Sequence, residues 1–440
     1  MIYFKFILCL LSLNFIGNLM ISNCNALQVG SAKIKTTPLV ETFSDFNNNN
    51  HHDESEPFID LNNNGKWDGV WLAGYGSDRF AKGVHDDLWA RSILISSHQD
   101  TVLFIALDCI GYLFDEISVI KNEIKTKFHI PPENILFAAT HDHSAPDTIG
   151  LWGSGGESGK NSDYIKWVRT QILTCVGQAM ENKKNAKLIF GKTRFSNPIE
   201  DSRPPKVIND LLLSFRAVDE QNKTIATLVN YAMHAEALDG ENRLITADYP
   251  GVLCNELEKK FGGTALFFAA DIGGMQSPFI LFHSFWSCRR VGKSIAEKVI
   301  NSVKKNNFSQ SELISIQSSQ ILFPVDNPKF KKAIQNGLFG ESAQHIAKEN
   351  ENLFLPADIS FIKIGPAQFI SVPGEMFPEL GNILRQQMKT DFPFVIGLCN
   401  NEFGYIVPTE EWKNDGYEES MSLGPKTATL LMDQLLKLLH

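Results

Sequence analysis

Apolar runs and amphipathic stretches alternate along the chain, which predicts an α/β fold. Residues 101–109 form a dense apolar run typical of a buried strand. Residues 113–128 and 164–180 place apolar side chains at helical spacing, which predicts two helices that each bury one face. Residues 313–325 alternate in places and indicate an edge or antiparallel strand. We therefore expect a mixed sheet core with flanking helices in a single large domain.

A polar cluster directly follows one of the apolar runs. Residues 135–139 read as a buried strand, and His141, Asp142 and His143 come just after it. Side chains two residues apart in an extended segment point to the same side, so both histidines can face one pocket. This pattern suits a metal site or an acid–base pair. Two ordinary polar loop histidines would give the same pattern.

Other apolar runs also end in residues of ligand or nucleophile type. His234, Glu375 and Tyr405 each follow such a run, and another leads to Ser277. Ligands in α/β sheets bind at the carboxyl ends of strands. His141 can therefore converge with His234, Glu375 and Tyr405 on one zinc-like site. Each residue also has a purely structural alternative. His234 could be a hydrogen-bonded core histidine, Glu375 a carboxylate at a helix start, Tyr405 a core aromatic and Ser277 a helix-capping hydroxyl.

Composition and charge exclude some classes of protein. The 440 residues are 43% hydrophobic, which is ample for a packed core. The net charge is -9 and no basic cluster stands out, so we expect no nucleic-acid partner. Five cysteines follow residue 26, odd in number and scattered, so we expect neither a disulfide scaffold nor a zinc knuckle.

The first 26 residues have the pattern of a secretory signal peptide. Lys5 precedes an apolar stretch that reaches Ile21, and small and polar residues follow as far as Ala26. This pattern predicts a secreted or periplasmic protein. The stretch is nearly long enough to span a bilayer, so a retained membrane anchor is the alternative.

A tandem repeat occupies residues 41–69. Its spacing is D-x-N-x-N-x-x-x-D, and the second copy begins fifteen residues (60 minus 45) after the first. Alternating oxygen ligands, with Gly65 permitting a sharp turn, are typical of a site for a hard cation such as Ca²⁺. We expect a structural calcium site, the alternative being a solvated Asn-rich loop. The residues of the stronger, second copy are Asp60, Asn62, Asn64 and Asp68.

A set of short motifs resembles the neutral, non-lysosomal ceramidases. In chain order they are THDHSAP, NYAMHAEAL, ADYPG, GGMQSP, VPGE, CNNEFGYIVPTEEW and GYEES. The resemblance runs from about residue 70 to residue 440. It implies a secreted zinc-dependent hydrolase domain that cleaves the N-acyl amide bond of ceramide or a related N-acyl lipid. It also implies a shortened member that lacks the family's C-terminal immunoglobulin-like domain.

The resemblance assigns roles to individual residues. The zinc ligands fall on His141, His234, Glu375 and Tyr405, the residues already selected at the strand ends. The functional serine falls on Ser277, and His143 is placed to act on the same substrate. Arg203 looks similar to an arginine that faces the family's substrate pocket. These are the expected catalytic and metal residues.

The chain also departs from the family pattern. Met275 and Phe279 replace an aspartate and an asparagine beside the serine, and Asp142 replaces a threonine between the histidines. These changes leave the substrate open. A zinc esterase or amidase acting on another acyl compound is one alternative, and a non-catalytic calcium-dependent surface module is the other.

The expected mechanism uses zinc to polarise the scissile carbonyl and to activate water. His143 would then move a proton to the departing amine, and Ser277 would hydrogen-bond to the reacting centre or attack it. A lipid substrate requires an apolar cleft, and residues 277–286 supply apolar side chains for one. The alternative for this run is ordinary core. We expect a lipid or small N-acyl substrate, with contact to a membrane surface left open.

Overall fold

The alternation of strands and helices expected from the sequence is present. The structure is a computed structural model and describes residues 27–303 apart from 48, 50, 98 and 99, together with residues 313–337, 347–349 and 352–440. The segment for which a signal peptide is predicted lies outside the described residues. No helix within the described residues is both long and apolar enough to cross a membrane.

The bounds of the elements are as follows. The strands are β1 (Leu27–Lys35), β2 (Gly83–Val84), β3 (Trp89–Ser96), β4 (Thr101–Leu107), β5 (Ile135–Ala139), β6 (Lys184–Arg194), β7 (Ile199–Asp201), β8 (Leu211–Asp219), β9 (Thr224–Tyr231), β10 (Leu244–Ile245), β11 (Thr264–Ala269), β12 (Gln276–Pro278), β13 (Ile314–Pro324), β14 (Ala347–Glu349), β15 (Asn352–Ile364), β16 (Ala367–Ser371), β17 (Glu375–Met376), β18 (Phe392–Ile396) and β19 (Tyr405–Ile406). The helices are α1 (Phe114–Phe128), α2 (Ser162–Glu181), α3 (Asp248–Phe261), α4 (Phe285–Ser302), α5 (Pro328–Gln335), α6 (Pro378–Gln387), α7 (Tyr417–Ser420) and α8 (Thr427–Leu439).

Two mixed sheets form the centre of the molecule, which confirms the predicted mixed sheet core with flanking helices. The larger sheet has the strand order β11-β9-β8-β6-β1-β3-β4-β5. Its outermost pairs, β11 with β9 and β4 with β5, are parallel, and the pairs between them are antiparallel. The smaller sheet has the order β13-β15-β16-β18, with β14 paired to β15. β13 is an antiparallel edge strand, which confirms the prediction for that segment.

The two sheets and the helices pack in four layers. One face of the larger sheet packs on α1 to α4 in an apolar cluster that includes Ile120, Ile172 and Leu253. Its other face packs on the smaller sheet, where the rings of Phe104 and Phe369 lie 5.2 Å apart. The far face of the smaller sheet packs on α5, α6 and α8. Because both faces are covered at β5, β9 and β11, these strands read as near-continuous apolar runs.

Local sequence sets where the longer helices begin. The side chain of Asn161 accepts hydrogen bonds from two backbone N–H groups in the first turn of α2. Ser284 accepts one from the backbone N–H of Ser287 at the start of α4. These contacts satisfy N–H groups that have no partner within the helix. The described cysteines are free and buried, in agreement with a fold that does not depend on disulfides.

Backbone hydrogen bonds join the ends of strands that are distant in the sheet order. β5 and β11 stand at opposite ends of that order, yet the segment after β18 contacts both. The N–H of Ala139 donates to the carbonyl of Leu398 over 3.3 Å, and the N–H of Gly397 donates to the carbonyl of Ala269 over 3.0 Å. The loops that follow these strands therefore meet in one place.

Candidate functional site

The predicted ligand residues are brought together where the strand ends meet. The segment after β5 runs beside the segment after β9, because the N–H of His143 donates to the carbonyl of Ala235 over 3.0 Å. Glu375 lies on β17 opposite Tyr405 on β19 in a parallel register. The imidazole rings of His141 and His234 have centroids 4.9 Å apart.

The orientation of the first two imidazoles is fixed by backbone carbonyls. Nδ1 of His141 lies 2.7 Å from the carbonyl oxygen of Ile110, and Nδ1 of His234 lies 3.0 Å from that of Gln276. A carbonyl oxygen only accepts, so each Nδ1 carries a proton, and Nε2 on the other side of each ring is the nitrogen that can bind a further proton or a metal ion. Carbonyl partners of this kind orient metal-binding histidines.

Both Nε2 atoms face the same carboxylate oxygen. Oε2 of Glu375 lies 2.9 Å from Nε2 of His234 and 3.5 Å from Nε2 of His141. All three side chains are buried. Two lone pairs and a carboxylate oxygen that face one another require a positive charge, which either a proton or a metal ion can supply. Two imidazoles and a carboxylate are a donor set that fits Zn²⁺.

His143 is the third histidine of the cluster and has a different environment. His141, His143 and His234 each offer a ring nitrogen that could bind a metal ion, and these nitrogens all lie within 4.8 Å of one another. Neither ring nitrogen of His143 has a hydrogen-bond partner in the described structure, although the residue is only 7% exposed. Its Nδ1 lies 3.5 Å from Oε2 of Glu236. Its ring is therefore available either as a ligand or as a carrier of protons.

Glu236 is a site residue that the sequence analysis did not single out. Oε1 of Glu236 accepts a hydrogen bond from the hydroxyl of Ser277, while its other oxygen faces His143. The available signal was its position two residues after His234, a spacing that places both side chains on one side of an extended segment. The serine, the carboxylate and the imidazole form a chain of polar groups beside the cluster of ligands.

A small cavity opens beside these groups. It has a volume of about 60 Å³ and is lined by His141, His143, Glu375, Tyr405, Glu402 and Tyr417, among others. The hydroxyl of Tyr405 donates toward Sδ of Met275 at 3.5 Å, and it also lies within hydrogen-bonding reach of Glu375. Tyr405 therefore stands at the wall of the cavity beside the carboxylate.

Burial and neighbouring charges shift the pKa values of the group. Burial lowers the pKa of His141, and burial together with the neighbouring histidines lowers that of His143 well below its usual range. Burial also opposes the charged form of His234, but the hydrogen bond to Glu375 and the charge of Glu236 outweigh it and raise the pKa to about 9. Burial and the charge of Glu375 raise the pKa of Tyr405 well above its usual range. Perturbed groups of this kind cluster at functional sites.

The backbone around the site adopts uncommon conformations. His141 and Met275 have φ angles of 62° and 60°, in the left-handed region that non-glycine residues seldom occupy. A Cβ added to Gly273 would lie 2.6 Å from the carbonyl oxygen of Glu375, so only glycine permits this approach. Such strain persists where the surrounding structure imposes it, as at binding and catalytic sites.

Arg203 is placed away from the reacting groups. Its guanidinium forms ion pairs with Glu418 at 2.8 Å and Glu419 at 2.7 Å, and it lies over the ring of Phe377. The two carboxylates belong to α7, the helix that also carries the cavity residue Tyr417. Arg203 therefore contacts the support of the cavity and not its lining.

The tandem loops fold alike. In the second loop the amides of Asn62 and Asn64 donate to Oδ2 of Asp68 over 2.6 and 2.7 Å, and the N–H of Asn64 donates to Asp60 over 3.2 Å. The corresponding residues of the first loop make the same contacts. The four predicted calcium ligands of the second loop therefore converge on one point.

Two buried glutamates connect the loops to each other. Glu41, which precedes the first loop, accepts the backbone N–H groups of Leu61 and Asp68 in the second over 2.9 and 2.8 Å. Glu56 accepts the N–H groups at the same two positions of the first loop. Glu41 is 3% exposed and Glu56 is 5% exposed, so this connection is internal.

Comparison with known proteins identifies a family whose model matches the chain. Residues 62–307, more than half of the chain, match the family model described as neutral/alkaline non-lysosomal ceramidase, N-terminal. The neutral ceramidase of Drosophila melanogaster is 22% identical over 208 residues, which cover 43% of this chain and 30% of that protein. The neutral ceramidase of Drosophila pseudoobscura pseudoobscura is 21% identical over 208 residues, with the same coverage. The matched region thus spans about a third of each relative.

The fold is similar to that of solved ceramidase structures. The crystal structure of neutral ceramidase from Pseudomonas aeruginosa superposes with a TM-score of 0.73 at 16% identity and covers 94% of this chain and 74% of that chain. A ceramidase complexed with C2 gives the same TM-score and identity, and 75% of that chain is covered. At this identity the likeness concerns the fold.

Proposed function

Because the chain belongs to the neutral/alkaline non-lysosomal ceramidase family, we propose that it is a zinc-dependent hydrolase of the N-acyl amide bond of ceramide or a related N-acyl lipid. The observation that carries the proposal is the approach of two Nε2 atoms, each with its Nδ1 on a backbone carbonyl, to one buried carboxylate oxygen. Residues 70–440 would form the hydrolase domain. The pattern of residues 1–26 supports action outside the cytoplasm, which N-terminal sequencing of exported protein would check.

His141, His234, Glu375 and Tyr405 would hold the zinc ion. The donor set of imidazole nitrogens and oxygen atoms fits zinc, and the buried position limits competition from water. Lewis-acid polarisation of the scissile carbonyl is the chemistry that zinc would supply when bound. Every other part of the reaction falls to side chains of this chain.

Ser277 and Glu236 would act at the scissile carbonyl carbon. The hydroxyl of Ser277 donates to Glu236, so its oxygen is oriented and its proton has an acceptor. Attack by Ser277 would form an acyl ester with release of the amine, and water would then hydrolyse that ester. In the alternative route Ser277 only hydrogen-bonds to the reacting centre while water attacks. Capture of an acyl adduct on Ser277 would distinguish the two routes.

His143 would move the proton to the leaving amine. Nδ1 of its ring faces Glu236, from which it would receive the proton, and its lowered pKa favours release of that proton. It would then donate this proton to the departing nitrogen. Arg203 would act as a positioning residue, because its ion pairs hold the helix that carries Tyr417 against the cavity.

The first experiment measures metal and turnover together. Elemental analysis after dialysis should find one zinc per chain in the wild type and none in His234→Ala, while a long-chain fluorescent ceramide should be hydrolysed only by the wild type. A wild type that binds zinc and prefers short acyl esters would favour the zinc esterase. A folded wild type that holds no zinc after reconstitution and hydrolyses nothing would refute the proposal and favour the non-catalytic surface module.

We also propose that the second tandem loop binds Ca²⁺ through Asp60, Asn62, Asn64 and Asp68. The approach of the amides of Asn62 and Asn64 to Asp68 supports this. Ca²⁺ binding would require these amide oxygens to turn inward and to give up the hydrogen bonds that they accept from the backbone N–H groups of Asn64 and Lys66. Addition of Ca²⁺ should raise the thermal midpoint of the wild type and leave that of Asp60→Ala unchanged. An equal response in both proteins, or none in the wild type, would count against the site.

A further inference from the structure

A segment rich in exposed apolar side chains follows Ser277. Phe279 is 49% exposed, Leu281 74%, Phe282 80% and Trp286 69%. Single exposed apolar residues are common on soluble proteins, but four large ones within eight positions are not. The alternative that residues 277–286 form ordinary core is therefore wrong for most of the segment. We call these four side chains the apolar rim.

The backbone beneath the apolar rim is fixed. The N–H of Phe279 donates to the carbonyl of Pro198 over 2.7 Å, and the hydroxyl of Ser287 donates to the carbonyl of Phe282 over 2.7 Å. Between the exposed residues, Ile280 packs against the core, and Phe285 stacks on His85 at 3.7 Å. The exposed side chains are thus presented to solvent by a segment that is anchored on both sides.

The apolar rim lies next to the candidate site. It begins two residues after Ser277, directly after β12, the strand that carries Ser277 and pairs with β7. Nδ1 of His283, within the same loop, lies 3.2 Å from the carbonyl oxygen of Ala237, the neighbour of Glu236. A surface that covered the apolar rim would therefore lie beside the serine and the carboxylate.

Basic side chains lie on the helix that continues from the apolar rim. Arg289, Arg290 and Lys293 of α4 are exposed. The guanidinium of Arg290 lies 5.3 Å from the centroid of the Trp286 ring, and Lys293 lies 3.9 Å from the carboxylate of Glu256. Three exposed basic groups beside an apolar rim contrast with the net charge of -9 of the whole chain.

We propose that the apolar rim and these basic side chains form a docking surface for an anionic phospholipid membrane. Tryptophan and phenylalanine enter the headgroup region of a bilayer, and arginine and lysine beside them attract anionic headgroups. A protein partner would also accept an apolar patch, but the combination of an aromatic rim and adjacent basic groups favours a lipid surface. The proposal deepens the proposed function and rests on it for its purpose, because docking would bring the site to a lipid substrate.

Binding to vesicles tests the docking surface without turnover. The full chain is sedimented with vesicles of phosphatidylcholine alone or with about one third phosphatidylserine. Phe282→Ser/Trp286→Ser removes two exposed side chains and should weaken binding at least tenfold. The matched control Trp167→Ser/Leu322→Ser changes the same residue class at positions that are 39% and 50% exposed elsewhere. The control should bind as the wild type does.

The basic side chains have their own test. Arg289→Ser/Arg290→Ser should weaken binding to vesicles with phosphatidylserine and leave the thermal midpoint unchanged. Equal binding by the two apolar double variants, or no binding by the wild type, would overturn the proposal. The surface would instead bind a second copy of the chain if the wild type did not bind vesicles but self-associated with rising concentration, and Phe282→Ser/Trp286→Ser did not self-associate. This result would also overturn the proposal.

Failure of the proposed function gives a different result. His234→Ala should bind vesicles as tightly as the wild type, because the docking surface does not include the ligand cluster. A wild type that binds vesicles and hydrolyses no acyl substrate would refute the proposed function while the docking surface stands.

Discussion

Removal of the Glu236 side chain should lower turnover while the metal site stays intact. The carboxylate of Glu236 accepts a hydrogen bond from the hydroxyl of Ser277 and lies 3.5 Å from Nδ1 of His143. Glu236→Ala therefore leaves both groups without this partner. A hydrogen bond to a charged group contributes about 1.5–3 kcal/mol. If this contribution acts in the transition state, kcat/KM should fall roughly 10- to 100-fold. Glu236→Gln keeps an acceptor oxygen and should lose less.

The assay is the steady-state hydrolysis of a long-chain fluorescent N-acyl lipid, with zinc content and thermal midpoint measured on the same samples. Glu200→Ala is the matched control, because Glu200 pairs with Ser277 in register on the neighbouring strand and its side chain is exposed. It should leave kcat/KM unchanged. A Glu236→Ala protein that keeps its zinc and works within twofold of the wild type would refute the role assigned to this carboxylate.

Three further predictions concern the support of the site. Burial raises the pKa of Asp248 from the ordinary 3.8 to about 6, so the folded state binds more protons than the unfolded state between these values. The free energy of unfolding should therefore fall by about 2 kcal/mol from pH 4 to pH 7 relative to Asp248→Asn, as urea unfolding would measure. Arg203→Ala leaves the buried carboxylates of Glu418 and Glu419 unpaired and should cost about 3 kcal/mol in denaturant unfolding; a loss below about 1 kcal/mol would contradict this. Gly273→Ala drives a Cβ against the backbone of β17 and should destabilise the protein by roughly 1–3 kcal/mol, whereas an unchanged thermal midpoint would show that the close approach is relieved elsewhere.

Strands and helices followed from the sequence where one physical signal dominated. The apolar runs at β4, β5 and β11 are buried throughout, and the helical spacing of Ile117, Ile120 and Ile124 corresponds to the buried face of α1. A strand that is buried on both faces has no polar alternation, so its apolar run can be recognised from the sequence alone. The pairing of a larger and a smaller sheet face to face was not visible, because it depends on contacts such as that of Phe104 with Phe369, far apart in the chain.

The neighbourhood of Ser277 shows the limit of sequence reasoning at the site. Its residue type and its place after a strand made it a candidate, and the family resemblance assigned its role, but its partner Glu236 lies 41 positions away and on another strand end. A glutamate next to a histidine is an ordinary exposed residue in most chains. Only the packing of the segment after β9 against β12 turns this glutamate toward the serine, through the bond from the N–H of His234 to the carbonyl of Gln276.

A flat open sheet alone would not bring the predicted ligand residues together at the strand ends. β5 and β11 lie at opposite edges of the larger sheet, where a flat sheet would hold their loops far apart. The larger sheet curls so that β11 contacts β3, β4 and β5, and the short segment after β18 binds the ends of both β5 and β11. The same segment leads directly to Tyr405, opposite Glu375. The segments that follow β16 and β18 of the smaller sheet therefore carry two of the predicted ligand residues, Glu375 and Tyr405, and the segment after β18 also binds the end of β5, which precedes His141.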